Sequence, residues 1–192
     1  MRKILTTSKG EIIVRYAVEA DTEALYALRL EALAAHPTAF AADYEITAAR
    51  GEQSWVELIR DYTREGKGVV CVAEADEGLV GMSGLVRGHW PKARHGGEIW
   101  GVYVRQTWRG LRVGEAILEG CLDWAREAGL AIVKLGVVTS NQAAIRCYER
   151  AGFEKYGVEP MVLLYEGIYY DELLMAKKFK REPNTSAIRQ CL

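Results

Sequence analysis

The sequence predicts an α/β (α+β) fold, a mixed sheet with helices on its faces. Two observations predict it. Short β-branched and aromatic runs of strand length recur along the chain, bounded by Gly, Pro, Asn or Asp. Between them lie stretches whose apolar residues fall at i, i+3, i+4 and i+7, the period of an amphipathic helix. Together they read β-α-α-β-β-β-α-β-α-β-β, an order that needs helix layers against a sheet.

Met1 to Gly10 is expected to be a polar lead-in, and Glu11 to Tyr16 a first strand. Asp21 can cap a helix with Leu25, Leu28, Ala32 and Ala35 on one face, ended by His36-Pro37. Thr38 to Gly51 shows no clear period. Trp55, Leu58, Ile59 and Tyr62 mark a second helix, broken at Gly66-Lys67-Gly68. Val69 to Ala75 and Leu79 to Arg87 read as a hairpin about Asp76-Glu77-Gly78. After a polar loop holding His89, Trp90 and His95, Glu98 to Val104 reads as a strand. A helix opening near Gly114 carries Ile117, Leu118, Cys121, Leu122 and Ala125 inward and stops at Gly129. Ile132 to Val138 is, Lys134 aside, an apolar run of strand length, fitting a strand buried on both faces. Asn141 caps a helix to Ala151, with Gly152 placed for a left-handed stop. Phe153 to Val158 and Leu163 to Phe179, turning at Glu166-Gly167, complete the domain, residues 11–179. Lys180 to Leu192 is expected to be a disordered tail.

At 192 residues the chain is one domain with room for a substantial core. A net charge of -1 gives no pull toward nucleic acid or an acidic membrane. Cys71, Cys121, Cys147 and Cys191 lie far apart, which argues against a disulfide framework or zinc site and for reduced thiols in a cytoplasmic protein. No N-terminal run resembles a secretory signal, and no apolar run nears the ~20 residues that span a bilayer.

The chemically informative stretch joins the Glu98–Val104 strand to the next helix. Its turn carries Arg105, Arg109 and Arg112 with Gly110 and Gly114. Unpaired amides and the helix dipole make such a turn an anion site, and arginines suit phosphate. It lacks the Gly-Lys-Ser/Thr of a Walker loop and the Gly-x-Gly-x-x-Gly of a dinucleotide site. A solvated glycine turn is the plain alternative.

Two segments then resemble one family. Arg109-Gly110-Leu111-Arg112-Val113-Gly114-Glu115-Ala116 is similar to the Gln/Arg-x-x-Gly-x-Gly/Ala pyrophosphate loop of the GNAT acyl-CoA N-acyltransferases. Asn141 to Phe153 resembles their Asn-x-x-Ala-x-x-x-Tyr-x-x-x-Gly-Phe helix. The element order matches that fold from Glu11 to about Phe179. The resemblance implies a mostly antiparallel sheet with about four helices, whose parallel fourth and fifth strands splay apart; here these are Glu98–Val104 and Ile132–Val138. One departure is Arg112, where the family usually has a glycine. Its side chain either narrows the loop or adds a phosphate contact.

The resemblance further implies acetyl transfer from acetyl-CoA to a primary amine of a small molecule or peptide, by direct attack in a ternary complex. Arg109, Gly110, Leu111, Arg112, Val113, Gly114 and Glu115 would hold the pyrophosphate. Val102, Tyr103 and Val104 would meet the pantetheine arm as an added strand does, with the Val102 amide as oxyanion donor. Asn141 would cap its helix and touch the cofactor. Glu98 is the expected general base, desolvated by Ile99 and Trp100; the alternative is a solvated strand edge. Tyr148 is the expected general acid, the alternative a core aromatic. Trp55, Tyr62, Trp90, Tyr169, His89 and His95 are weaker candidates for the acceptor pocket, and His36 reads as structural. Members of the family frequently dimerise, although nothing in the sequence shows a homodimer. A second reading stays open, a non-catalytic acyl-CoA sensor of the same fold, as does a weaker third, an unrelated nucleotide-phosphate binder.

Overall fold

The structure, a computed structural model, describes residues 1–179. Its strands are β1 (Arg2–Thr7), β2 (Gly10–Tyr16), β3 (Gly68–Ala75), β4 (Gly78–Arg87), β5 (Gly96–Val104), β6 (Ile132–Val138), β7 (Glu154–Tyr165) and β8 (Ile168–Lys178). The helices are α1 (Thr22–Ala35), α2 (Tyr44–Arg50), α3 (Gln53–Glu65), α4 (Val113–Glu127) and α5 (Gln142–Arg150). One sheet runs β1-β2-β3-β4-β5-β6-β8-β7; among the described residues β5 and β6 alone pair in parallel. No described helix is long and apolar enough to cross a membrane.

The fold class, the helix layers and the one parallel pair agree with the sequence, and four details differ. Met1 to Gly10 is not a lead-in: β1 pairs with β2 from Arg2↔Arg15 to Thr7↔Gly10. It is an edge strand whose Arg2 and Lys3 hide the apolar alternation, as charged edges do. Thr38 to Gly51 holds α2, a fifth helix that buries no side chain and so shows no apolar stripe. Asp21 stands before α1, but its carboxylate accepts from Arg15 (2.7 Å) and the Val18 amide rather than from that helix. The last hairpin is longer than expected, with β7 running on to Tyr165 before the Glu166-Gly167 turn. The tail from Lys180 lies outside the described residues.

Two cores cover the two sheet faces. On one, α4 buries Ile117, Leu118 and Leu122 completely against β2 to β5. Such residues each contribute about 1.5–3 kcal/mol, and truncating one to Ala would cost about 2–5 kcal/mol. On the other, Leu25, Leu28 and Ala32 of α1 and Trp55 and Ile59 of α3 pack on Val70, Val72 and Met82. β5 carries one extra residue against β4: Met82 faces Tyr103, but Gly84 faces Trp100. That bulge falls at Gly101-Val102, with Gly101 at φ 64°, a conformation glycine adopts without strain.

Candidate active site

β5 and β6 begin as neighbours and then part. Their pairing runs Gly96↔Ile132, Gly97↔Val133, Glu98↔Lys134 and ends there. Beyond it, β5 keeps its ladder to β4 and β6 its ladder to β8. The facing edges, Ile99–Val104 and Leu135–Val138, wall a cleft of about 880 Å³. The start of α4, the start of α5 and the turn after α1 close its other sides.

The turn into α4 presents main-chain donors to this cleft. After Arg109, whose amide bonds to Gln106, the next amide with a main-chain acceptor is that of Ala116, bonded to the Arg112 carbonyl at 3.1 Å. The amides from Gly110 to Glu115 have no such partner among the described residues. Gly110 (φ 77°) and Arg112 (φ 63°) both take left-handed conformations, which curl successive amides into a concave nest. The macrodipole of a helix of 15 residues adds positive potential there. Arg109, Gly110, Arg112, Val113, Gly114 and Glu115 all line the cleft. Leu111 does not; it packs against the core beneath.

The arginines of this turn have local work. Arg109 donates through Nε to the Val104 carbonyl at 2.9 Å, and its Nη2 lies 2.7 Å from His36 Nε2. Burial, and then the Arg109 charge, lower the His36 pKa, so the ring is neutral and accepts this bond. His36 is therefore a wall of the cleft, a role its sequence position before Pro37 did not disclose. Arg112 turns its side chain outward, 73% exposed and 3.4 Å from Glu115, so it does not narrow the nest. Glu115 also holds Arg150 at 2.7 Å, tying α4 to α5.

On the opposite wall, Asn141 caps α5, its Oδ1 accepting from the Ala144 amide at 3.2 Å. Tyr148, seven residues beyond Asn141, is buried with its ring edge-on to Phe153 (6.3 Å) yet reaches the cleft. Burial raises its phenol pKa well above the usual value, so the proton stays on oxygen at neutral pH. The open edge of β5 brings Val102, Tyr103 and Val104 to the same cavity. Tyr103 itself is buried, its hydroxyl donating to Glu31 at 2.9 Å.

Glu98 lies elsewhere. It is exposed, precedes the splay and is absent from the cleft lining. Ile99 does not desolvate it, because that side chain turns into the α4 core. A different carboxylate lies beside a residue of the cleft. Glu172 of β8 is half-buried, and its side chain fills the space a Cβ would take at Gly136, a cleft residue. Burial, reinforced by the charges of Glu159 and Glu98, raises its pKa above the usual carboxylate value. Glu159 is its direct cross-strand partner. Nothing local in the sequence marks Glu172; the β6/β8 register is needed to place it. Trp55 and Tyr62 belong to the α3 core, and Trp90 and Tyr169 are exposed. His89 meets Trp90 edge-on (5.3 Å), and neither it nor His95 lines the cleft.

A splayed parallel pair beside an amide-rich helix start is the arrangement that the sequence motifs anticipate, and comparison with known proteins agrees. A model described as the acetyltransferase (GNAT) family matches residues 23–153. The chain belongs to that family. A mycothiol acetyltransferase of Sanguibacter keddieii is 33% identical over 141 residues, 72% of this chain and 42% of that protein. The L-amino acid N-acetyltransferase AaaT of Escherichia coli is 26% identical over 172 residues, covering 88% of this chain and 98% of its own. The chain thus spans about half or less of the length of the mycothiol acetyltransferases it matches. Among solved GNAT-like structures, the ribosomal-protein-alanine N-acetyltransferase of Brucella melitensis superposes with a TM-score of 0.75 at 28% identity, over 86% of this chain and 99% of that one. The yncA acetyltransferase of Salmonella typhimurium, solved with its cofactor acetyl-CoA, gives 0.79 at 22% identity, over 90% and 96%.

Proposed function

We propose that this GNAT-family protein transfers an acetyl group from acetyl-CoA to a primary amine of a small molecule or peptide by direct attack. The observation that carries it is one continuous cleft joining the free amides of Gly110–Glu115 to the unpaired edge of β5. These residues fit the cofactor: amides for the diphosphate, an open strand edge for the amides of the pantetheine arm. Acetyl-CoA supplies the activated acyl carbon when bound.

The chain supplies the rest. The Val102 N–H, inside the bulge and without a β4 register partner, is placed to donate to negative charge developing on the carbonyl oxygen. Glu172 replaces Glu98 as the group that takes the proton of the amine, Glu98 helping to keep it basic enough. Tyr148 keeps its proton and gives it to the departing sulfur. Asn141 holds the start of α5 against the cofactor. Relatives bear the names of mycothiol, L-amino acid and ribosomal-protein-alanine acetyltransferases, so kinship alone does not select the acceptor.

The test is incubation with acetyl-CoA and an amine panel, following free thiol. Amine-dependent thiol release is expected. Tight CoA binding without release to any amine would make the protein an acyl-CoA sensor instead.

A further inference from the structure

Arg29 of α1 is 8% exposed, a buried guanidinium. Its Nη1 is sealed from solvent and makes no hydrogen bond among the described residues. The acidic side chain two positions along α1, Glu31, is committed to Arg105 (2.9 Å) and the Tyr103 hydroxyl (2.9 Å). Arg29 rests instead on the face of Phe40, 4.7 Å away, a contact that offsets little of the cost of burying a charge. Burial lowers its pKa to about 10, so it remains a cation at neutral pH. A lone buried cation is costly, and structures normally neutralise one with a carboxylate.

Its position indicates what that partner is. Phe40 and Gly101 both line the cleft, and a Cβ at Gly101 would sit 3.4 Å from Nη1. With glycine there, no side chain stands between that nitrogen and the cleft residue's backbone. Gly101 directly precedes Val102, so the guanidinium lies next to the point where the acyl carbonyl is bound. Carboxylates gather at the other side of the same region, where Glu172 leans over Gly136 and faces Glu159. Like charges set opposite each other in a sheet destabilise it unless a cation joins them.

Resting on the proposed acetyl transfer, we infer that Arg29 anchors an acceptor carboxylate one carbon from the reacting amine, making the substrate a free amino acid rather than a peptide N-terminus. The amine then falls toward Glu172 and the carboxylate toward Arg29. A guanidinium meets a carboxylate with two parallel hydrogen bonds, which fixes orientation as well as affinity.

The experiment compares acceptors matched in side chain, such as leucine with isopentylamine and phenylalanine with phenethylamine, extended across the common amino acids and their decarboxylated amines. The wild-type protein should favour the carboxylate-bearing member by about 10- to 100-fold in kcat/KM, the range of a charged hydrogen-bonded pair. Arg29→Met should erase that ratio so that the two series converge. Arg29→Lys, which keeps the charge and loses the fork, should give an intermediate ratio and decides the matter if Arg29→Met does not fold. A wild-type ratio within threefold of one, or an unchanged ratio in either variant, overturns the assignment. Thiol release with a peptide amine but with neither series overturns the assignment and leaves acetyl transfer standing; release with no amine of any class, CoA still bound, overturns the acetyl-transfer reading itself.

Discussion

Ile99 and Tyr103 lie four residues apart on β5 and are buried in opposite cores, Ile99 beneath α4 and Tyr103 beneath α1. In a regular strand an even spacing keeps two side chains on one face. The extra residue at the bulge reverses the alternation between them. Trp100 and Gly101 consequently turn toward the α1 side, Trp100 into the core there and Gly101 toward Arg29, while Val102 returns to the α4 side. The acceptor wall and the candidate oxyanion donor therefore come from adjacent residues.

Gly114 tests the cofactor site. A Cβ there would lie 3.3 Å from Cys147 Sγ and 3.8 Å from Val104, and Asp would also set a negative charge in an anion nest. Gly114→Asp should weaken CoA binding at least ~10-fold by calorimetry, as a lost charged contact does. Affinity equal to wild type would remove this turn from the site.

Tyr148→Phe keeps the ring against Phe153 and removes the proton donor. Turnover should fall about 10²–10⁴-fold, the usual worth of general acid catalysis, with CoA affinity unchanged. An undiminished kcat would return Tyr148 to being a core aromatic.

Arg112 holds a left-handed backbone with its side chain in solvent. Arg112→Gly removes a penalty of about 1–2 kcal/mol but adds the glycine's entropy in the unfolded chain. A net gain of about 0.5–1 kcal/mol should raise Tm by about 1–4 °C. Lower Tm would show that the Glu115 pairing outweighs the strain.

Glu172 gives a pH signature. A carboxylate whose pKa is raised on folding stabilises the fold below its ordinary value, 4.5. It loses that contribution as pH rises through the raised value. At pH 7 the ionised group therefore opposes folding. Glu172→Gln should be more stable there by about 0.2–1 kcal/mol, the scale of an opposed like-charge pair, and the difference should vanish toward pH 4.5. In activity, Glu172→Gln should abolish the acidic limb of the rate profile, whereas Glu98→Gln should move it to lower pH. A limb lost in Glu98→Gln and kept in Glu172→Gln would restore Glu98 as the base.

Every described strand except β1, four of the helices and the anion turn were legible because each rests on local signals: alternation, caps and glycine punctuation. Asn141 and Tyr148 could be named because one contiguous motif carries them, and Val102 because it lies on the strand leading into the other motif. What stayed hidden depends on partners distant in sequence. Glu172 comes beside the cleft residue Gly136 through strand register, His36 joins the wall through Arg109, and Arg29 lies behind a cleft glycine more than seventy positions away. The α2 helix escaped notice because it buries nothing.

The central claim is most directly tested by the structure of the protein with acetyl-CoA bound. The diphosphate should lie on the amides of Gly110–Gly114 and the thioester carbonyl should point at the Val102 N–H, between β5 and β6. A cofactor bound outside the splay, or a diphosphate that leaves those amides unused, would contradict the account.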